Sequence, residues 1–322
     1  MSDIAPAELH TDILRRFKRL LENDTLAHAY LFTGAAEIGK YECALALAKL
    51  INCEKNTETF CDECASCRKI KAGNHPDVMV IQREEEATLI KVEQVRNLLA
   101  QAKYKPFEAK RKIFIIKNIE ELNAEGANTL LKTLEEPTSS SLLILTTAVE
   151  DNILPTVRSR CQFIPFLPLS AERIIQQLEG EYVESFNSSH FLAYFAEGCL
   201  NKAKRLREEE FFKTKNDYLD EFLHDPDNEE FIKKITSDKE QTLIFLKLML
   251  SWIRDGMLLK AGVKDVRLIH LDRKKDLEDF QARFSFDELN AIYRQSVLTI
   301  RQAMDNLNAK MALTILGEMI HG

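Results

Sequence analysis

The sequence predicts an α/β phosphate-loop domain, a parallel sheet flanked by helices, followed by a small helical domain and then an all-α domain. Three observations predict it. Short apolar runs alternate with helical patterns between residues 29 and 167. A phosphate-loop motif, Gly34-Ala35-Ala36-Glu37-Ile38-Gly39-Lys40, follows the first of those runs and opens a helical pattern. Beyond Pro168 the strand pattern stops and helical periodicity continues to the end. The expected domains are therefore 1–167, 168–208 and 209–322.

The apolar runs lie at 29–33, 78–81, 113–116 and 142–147, with a fifth at 162–166. Strands that are apolar along their length, separated by amphipathic helices, belong to a parallel sheet covered on both faces. The clearest helix precedes the fourth run. Ala127, Leu130, Leu131 and Leu134 fall at i, i+3, i+4 and i+7, and Pro137 stops it. In the small helical domain Gly198 marks a turn. The segment 243–259 is the most apolar of the chain, but Lys247, Arg254 and Asp255 interrupt it, so it reads as a buried helix rather than a membrane span. Near the end, Ile300, Met304, Leu307, Met311 and Ile315 form one stripe, expected to be the core of a helical bundle.

A net charge of −7 excludes a protein that grips nucleic acid over its whole surface, because such binding needs Lys and Arg to displace counterions. A local basic patch remains compatible. Residues 1–8 lack the basic and apolar regions of a secretory signal. The expectation is a cytoplasmic protein with no membrane contact, in which clustered cysteines are metal ligands before they are disulfides.

The phosphate loop itself points to lost chemistry. Gly34 and Gly39 let backbone N–H groups curl around phosphate, and Lys40 reaches its oxygens. The next residue should be Ser or Thr, whose hydroxyl holds Mg²⁺; it is Tyr41. The third strand should run into an acid; it runs into Lys117-Asn118. An ammonium ~4 Å from a divalent ion costs at most about 8 kcal/mol at an effective dielectric near 20. A shifted register in which Glu120 or Glu121 supplies the acid remains an alternative. No hydrolysis is expected, and ATP binding through Lys40 is expected to be weak or absent.

Cys53, Cys61, Cys64 and Cys67 are spaced C-x7-C-x2-C-x2-C. Two-residue gaps let thiolates converge on one ion, so the spacing points to structural Zn²⁺, with an iron–sulfur cluster or free thiols as alternatives. Cys43, Cys161 and Cys199 are isolated and read as small buried residues.

The segment Leu26-Ala27-His28-Ala29-Tyr30-Leu31-Phe32-Thr33-Gly34 resembles the start of the clamp-loader AAA+ modules of bacterial DNA polymerase III. So do the four-cysteine insert at 53–67, the run from Ala127 to Pro137, and Leu154-Pro155-Thr156-Val157-Arg158-Ser159-Arg160-Cys161 with its Ser-Arg-Cys motif. The resemblance covers residues 26–167, with a weaker match from Leu307 to Leu313. It implies an AAA+ domain with a zinc insert, a small helical lid and a helical collar that joins a hetero-pentamer. The implied partners are the gamma/tau motor and delta subunits, with the sliding clamp and primed DNA reached through the complex. The family's motor keeps a threonine after the loop lysine and an Asp-Glu pair after the third strand. Tyr41, Lys117-Asn118, and Asn201 where the motor has a sensor arginine imply a non-hydrolysing stator instead. The alternative is an active motor ATPase. In the family, the match of Arg160 acts in trans on ATP held by a neighbour, and Arg158 lies two residues away as the other candidate. A planar, always-charged guanidinium suits that task. His28 is expected to pack or hydrogen-bond at the strand start, Thr146 and Thr147 to be structural, and Trp252 to be a core residue.

Overall fold

The computed structural model describes residues 11–55, 59–84, 87–138, 140–181, 185–225, 228–263, 268–304 and 309–321. The chain divides into two compact units, Met1–Pro168 and Leu169–Gly322. The expected boundary near residue 208 falls inside the second unit.

The first unit runs α1 (Thr11–Glu22), β1 (Ala29–Thr33), α2 (Lys40–Asn52), α3 (Ala65–Lys71), β2 (Val78–Ile81), α4 (Val92–Ala102), β3 (Lys112–Ile116), α5 (Ala124–Glu135), β4 (Ser141–Thr147), α6 (Pro155–Arg158) and β5 (Gln162–Pro165). Its sheet has the order β2-β3-β4-β1-β5, with every pairing parallel. All residues of β1, β3 and β4 are buried, which is why those strands read as continuous apolar runs. Edge strand β2 is only half-buried over most of its length. Leu130 and Leu134 of α5 pack with Val95 and Leu98 of α4 in the core that includes Leu31, Ile116 and Leu145. The Asn123 side chain caps α5 by accepting from the Gly126 N–H at 2.8 Å, and the helix ends at Glu135, two residues before Pro137.

The second unit is helical: α7 (Ala171–Glu181), α8 (Phe186–Phe195), α9 (Leu200–Glu208), α10 (Phe211–His224), α11 (Glu229–Thr236), α12 (Lys239–Lys260), α13 (Lys274–Ala282), α14 (Phe286–Met304) and α15 (Ala309–His321). The apolar segment at 243–259 lies in α12, which buries Phe245, Leu246, Leu248, Met249, Trp252 and Ile253. Among the described residues no helix is long and apolar enough to cross a membrane. Cys43, Cys161 and Cys199 are all buried.

The terminal stripe needs correction. Ile300 lies on α14 whereas Met311 and Ile315 lie on α15, and Leu307 is outside the described residues. Met311 is 63% exposed, whereas Leu313, Leu316 and Ile320 of α15 are buried. A helical stripe is defined within one helix, so a count carried from α14 into α15 misassigns the face of the second.

Candidate functional site

The phosphate loop spans the gap between β1 and α2. Gly34 sits at φ +146°, and a Cβ there would come within 2.5 Å of the Phe166 carbonyl oxygen, so only glycine allows β5 to close on the loop. Gly39 enters α2 at φ +101°. The Lys40 ammonium folds back into the loop, donating to the carbonyl oxygens of Gly34 at 2.7 Å and Ala35 at 2.6 Å. Its side chain is buried.

The two residues that break the metal-holding pattern meet. The Lys117 ammonium sits over the Tyr41 ring, 5.0 Å from its centroid. Burial, aided by Glu42, raises the Tyr41 pKa, so the ring remains a neutral phenol under the cation. The alternative acids are engaged elsewhere, in a 3-10 turn past β3. Glu120 accepts from the Ala148 N–H at 2.8 Å. Glu121 accepts from the Asn118 amide at 3.2 Å and pairs with Arg83 at 3.6 Å. Thr146 Oγ1 accepts from the Asn118 N–H at 3.0 Å and so braces the β3–β4 ends. The Nε2 atom of His28 has no hydrogen-bond partner among the described residues.

The ligand atoms of Cys53, Cys61, Cys64 and Cys67 all lie within 4.8 Å of one another. The Cys53 and Cys61 sulfurs are 3.6 Å apart. A tetrahedral ion with Zn–S bonds of about 2.3 Å sets its sulfurs about 3.8 Å apart. The Cys64 N–H donates to the Cys61 sulfur at 3.3 Å, and the Cys67 N–H to the Cys64 sulfur at 3.4 Å. Burial opposes the Cys61 thiolate, but the Glu63 and Cys64 N–H groups and the adjoining thiols outweigh it and bring the pKa down to about 6. Burial pushes the Cys67 thiol up. Four convergent soft donors with N–H support fit a closed metal site and leave no ligand position for a substrate. The insert is tied to the sheet domain by Lys49 with Asp62, by Lys69 with Glu108 and by Lys110 with the Cys53 carbonyl.

Arg158 and Arg160 flank the end of α6. Arg158 pairs with Glu150 at 2.7 Å and lies over the Phe163 ring. Arg160 donates from Nη1 to the Thr156 carbonyl at 2.9 Å and to Ser159 Oγ at 3.3 Å. Its Nη2 forms an ion pair with Glu135 at 2.8 Å. Both arginine side chains are more than a third exposed, at 39% and 35%.

Residues 9–170 match the family model described as DNA polymerase III, delta subunit, and residues 210–316 match that described as DNA polymerase III, delta subunit, C terminal. The DNA polymerase III subunit delta' of Bacillus subtilis strain 168 is 30% identical over 276 residues, covering 82% of this chain and 82% of that one. The chain belongs to the DNA polymerase III delta-subunit family. A delta' subunit from Pseudomonas aeruginosa is 38% identical over 136 residues, 42% of each chain. The family's likeness extends to the tau subunit of Escherichia coli K12, 36% identical over 188 residues, which are 56% of this chain but only 29% of tau. A gamma subunit-related protein from Thermotoga maritima shares the fold, with a TM-score of 0.50 at 16% identity over 95% of this chain and 98% of that one. These relatives agree with the resemblance to the clamp-loader modules of DNA polymerase III.

Sequence reasoning singled out Tyr41 and Lys117 separately but not their contact. It passed over Glu135, although that residue closes the motif-bearing run on α5. Charge sign in the sequence was available for both; distance was not.

Proposed function

We propose that the chain is a non-hydrolysing stator of the DNA polymerase III clamp loader, of the delta-prime type. One observation carries the proposal: the Lys117 ammonium rests on the Tyr41 ring, at the two positions where a working site would hold Mg²⁺. A site that keeps its loop lysine but replaces both metal-organising groups lacks the cation that bridges β- and γ-phosphates. Residues 168–208 serve as a lid and residues 209–322 as a collar within a hetero-pentamer of gamma/tau and delta subunits. The complex acts on the sliding clamp and primed DNA in the cytoplasm. The four cysteines hold structural Zn²⁺, which would supply only cross-linking of the insert. Arg160 acts in trans, its partly exposed guanidinium bridging oxygens of a neighbour's ATP as charge develops there.

The purified chain should release no phosphate from ATP above a Lys40→Ala control. Turnover abolished by that substitution would instead support the motor reading, which the intact Gly34, Gly39 and Lys40 favour. In a reconstituted loader, Arg160→Ala should lower clamp-stimulated ATPase and loading while assembly stays intact. One finger governs about 10³–10⁵ in rate at its own site, and the whole-complex effect is smaller because other sites keep theirs. Arg160→Lys should rescue poorly, since an ammonium lacks the planar fork. Normal loading by Arg160→Ala with loss in Arg158→Ala would move the role to Arg158, and silence of both would leave a brace alone.

A further inference from the structure

Arg160 carries a long side chain on a short stiff anchor. It lies between the single turn of α6 and β5, separated from the strand by Cys161. An arginine free to rotate carries about 2 kcal/mol of rotamer entropy, much of it lost when the guanidinium is fixed on a ligand. Three contacts reduce that freedom beforehand. The Thr156 carbonyl and Ser159 Oγ accept from Nη1, and the Glu135 carboxylate faces Nη2 at 2.8 Å. Glu135 comes from the last turn of a different element, α5, which packs beside α6 in the same core through Leu134 and Val157. Nε makes no bond among the described residues, so one edge of the fork is held while part of it stays available.

We infer that Glu135 is a positioning residue for Arg160, orienting the guanidinium toward the neighbour's phosphates before the subunits engage. The inference rests on the trans-acting reading of Arg160. Glu135 is half-exposed, so its pair with Arg160 adds little to folding. A substitution there therefore reports on the arginine rather than on stability. Ordering one such side chain in advance is worth about twofold to tenfold in a rate that depends on its placement.

The test is single-turnover ATP hydrolysis in the reconstituted loader, with clamp and primed DNA at saturating ATP. Glu135→Ala should slow the phase that Arg160→Ala removes by about twofold to tenfold. Its KM for ATP and its assembly should be unchanged. Glu135→Gln, which keeps an acceptor but not the charge, should recover part of the loss. The double variant Glu135→Ala/Arg160→Ala should be no slower than Arg160→Ala, because a positioning residue has nothing left to position. A merely structural acid would instead add to the arginine's loss and lower assembly or Tm. Wild-type or faster hydrolysis by Glu135→Ala, with Arg160→Ala slow, would overturn the inference and leave the finger standing. Silence of Arg160→Ala would overturn both.

Discussion

Position 117 puts an ammonium over the phenol ring of position 41. A cation over an aromatic face gains about 0.5–2 kcal/mol, depending on how much water is excluded. The same charge repels a divalent ion by up to about 8 kcal/mol at ~4 Å. The lysine, not the tyrosine, is therefore the larger barrier to metal. Tyr41→Thr alone should leave ATP binding independent of Mg²⁺. Tyr41→Thr combined with Lys117→Asp should make binding Mg²⁺-dependent and tighter by at least about tenfold, the equivalent of 1.4 kcal/mol. Calorimetry with Mg²⁺ and with chelator compares the two. Mg²⁺ dependence in the single variant, or none in the double, would go against this ranking. Each residue was legible as a departure from a motif. Their pairing was not, because 76 positions separate them and the contact depends on how β3 lies beside α2.

At the scale of elements, the cysteine insert and α5 were the most legible, because ligand spacing and helical period are local properties. Metal analysis of the chain purified without added zinc should find one Zn²⁺ held by Cys53, Cys61, Cys64 and Cys67. Replacing Cys64 and Cys67 together by Ser should abolish it, and zinc unaffected by that change would count against the site. Removing the metal should loosen residues 53–71 in hydrogen exchange and leave the sheet protected, since β1, β3 and β4 are buried without help from the insert. Global unfolding on chelation would be the contrary result. The stripe from Ile300 to Ile315 was misread at this same scale. Ile300 belongs to α14 while Met311 and Ile315 belong to α15, and a period counted along one helix does not carry over to the face of another.

At the scale of the whole molecule, the second unit buries charge that composition alone did not reveal. Asp255 is fully buried, accepts from the Ile269 and His270 N–H groups at 2.6 and 2.8 Å, and pairs with Arg254. Burial nonetheless raises its pKa from 3.8 to about 6. His270 is also fully buried, and burial, with Lys215, Arg273 and Arg254 nearby, holds its pKa well below 6.5. A raised acid adds stability at low pH that is lost as pH rises through about 6. A depressed base adds stability above its unfolded pKa of 6.5 that is lost as pH falls. The two slopes oppose each other between these values. Asp255→Asn should therefore unmask the histidine. Relative to wild type, its stability should fall as pH drops from 7 to 4, by on the order of 3 kcal/mol at most. Denaturant midpoints across that range measure it, and parallel profiles would refute the linkage. The sequence by itself determined the phosphate-loop sheet domain, the helical remainder and the grouping of the four cysteines of the insert. All of these are written in short-range spacing. Only the tertiary structure decided that Lys117 covers Tyr41, that Glu135 faces Arg160 and that the Asp77 carboxylate takes the N–H groups of Phe107, Glu108 and Ala109. Those contacts join residues from different elements, and a side chain's partner is fixed by how the elements pack, not by its neighbours along the chain.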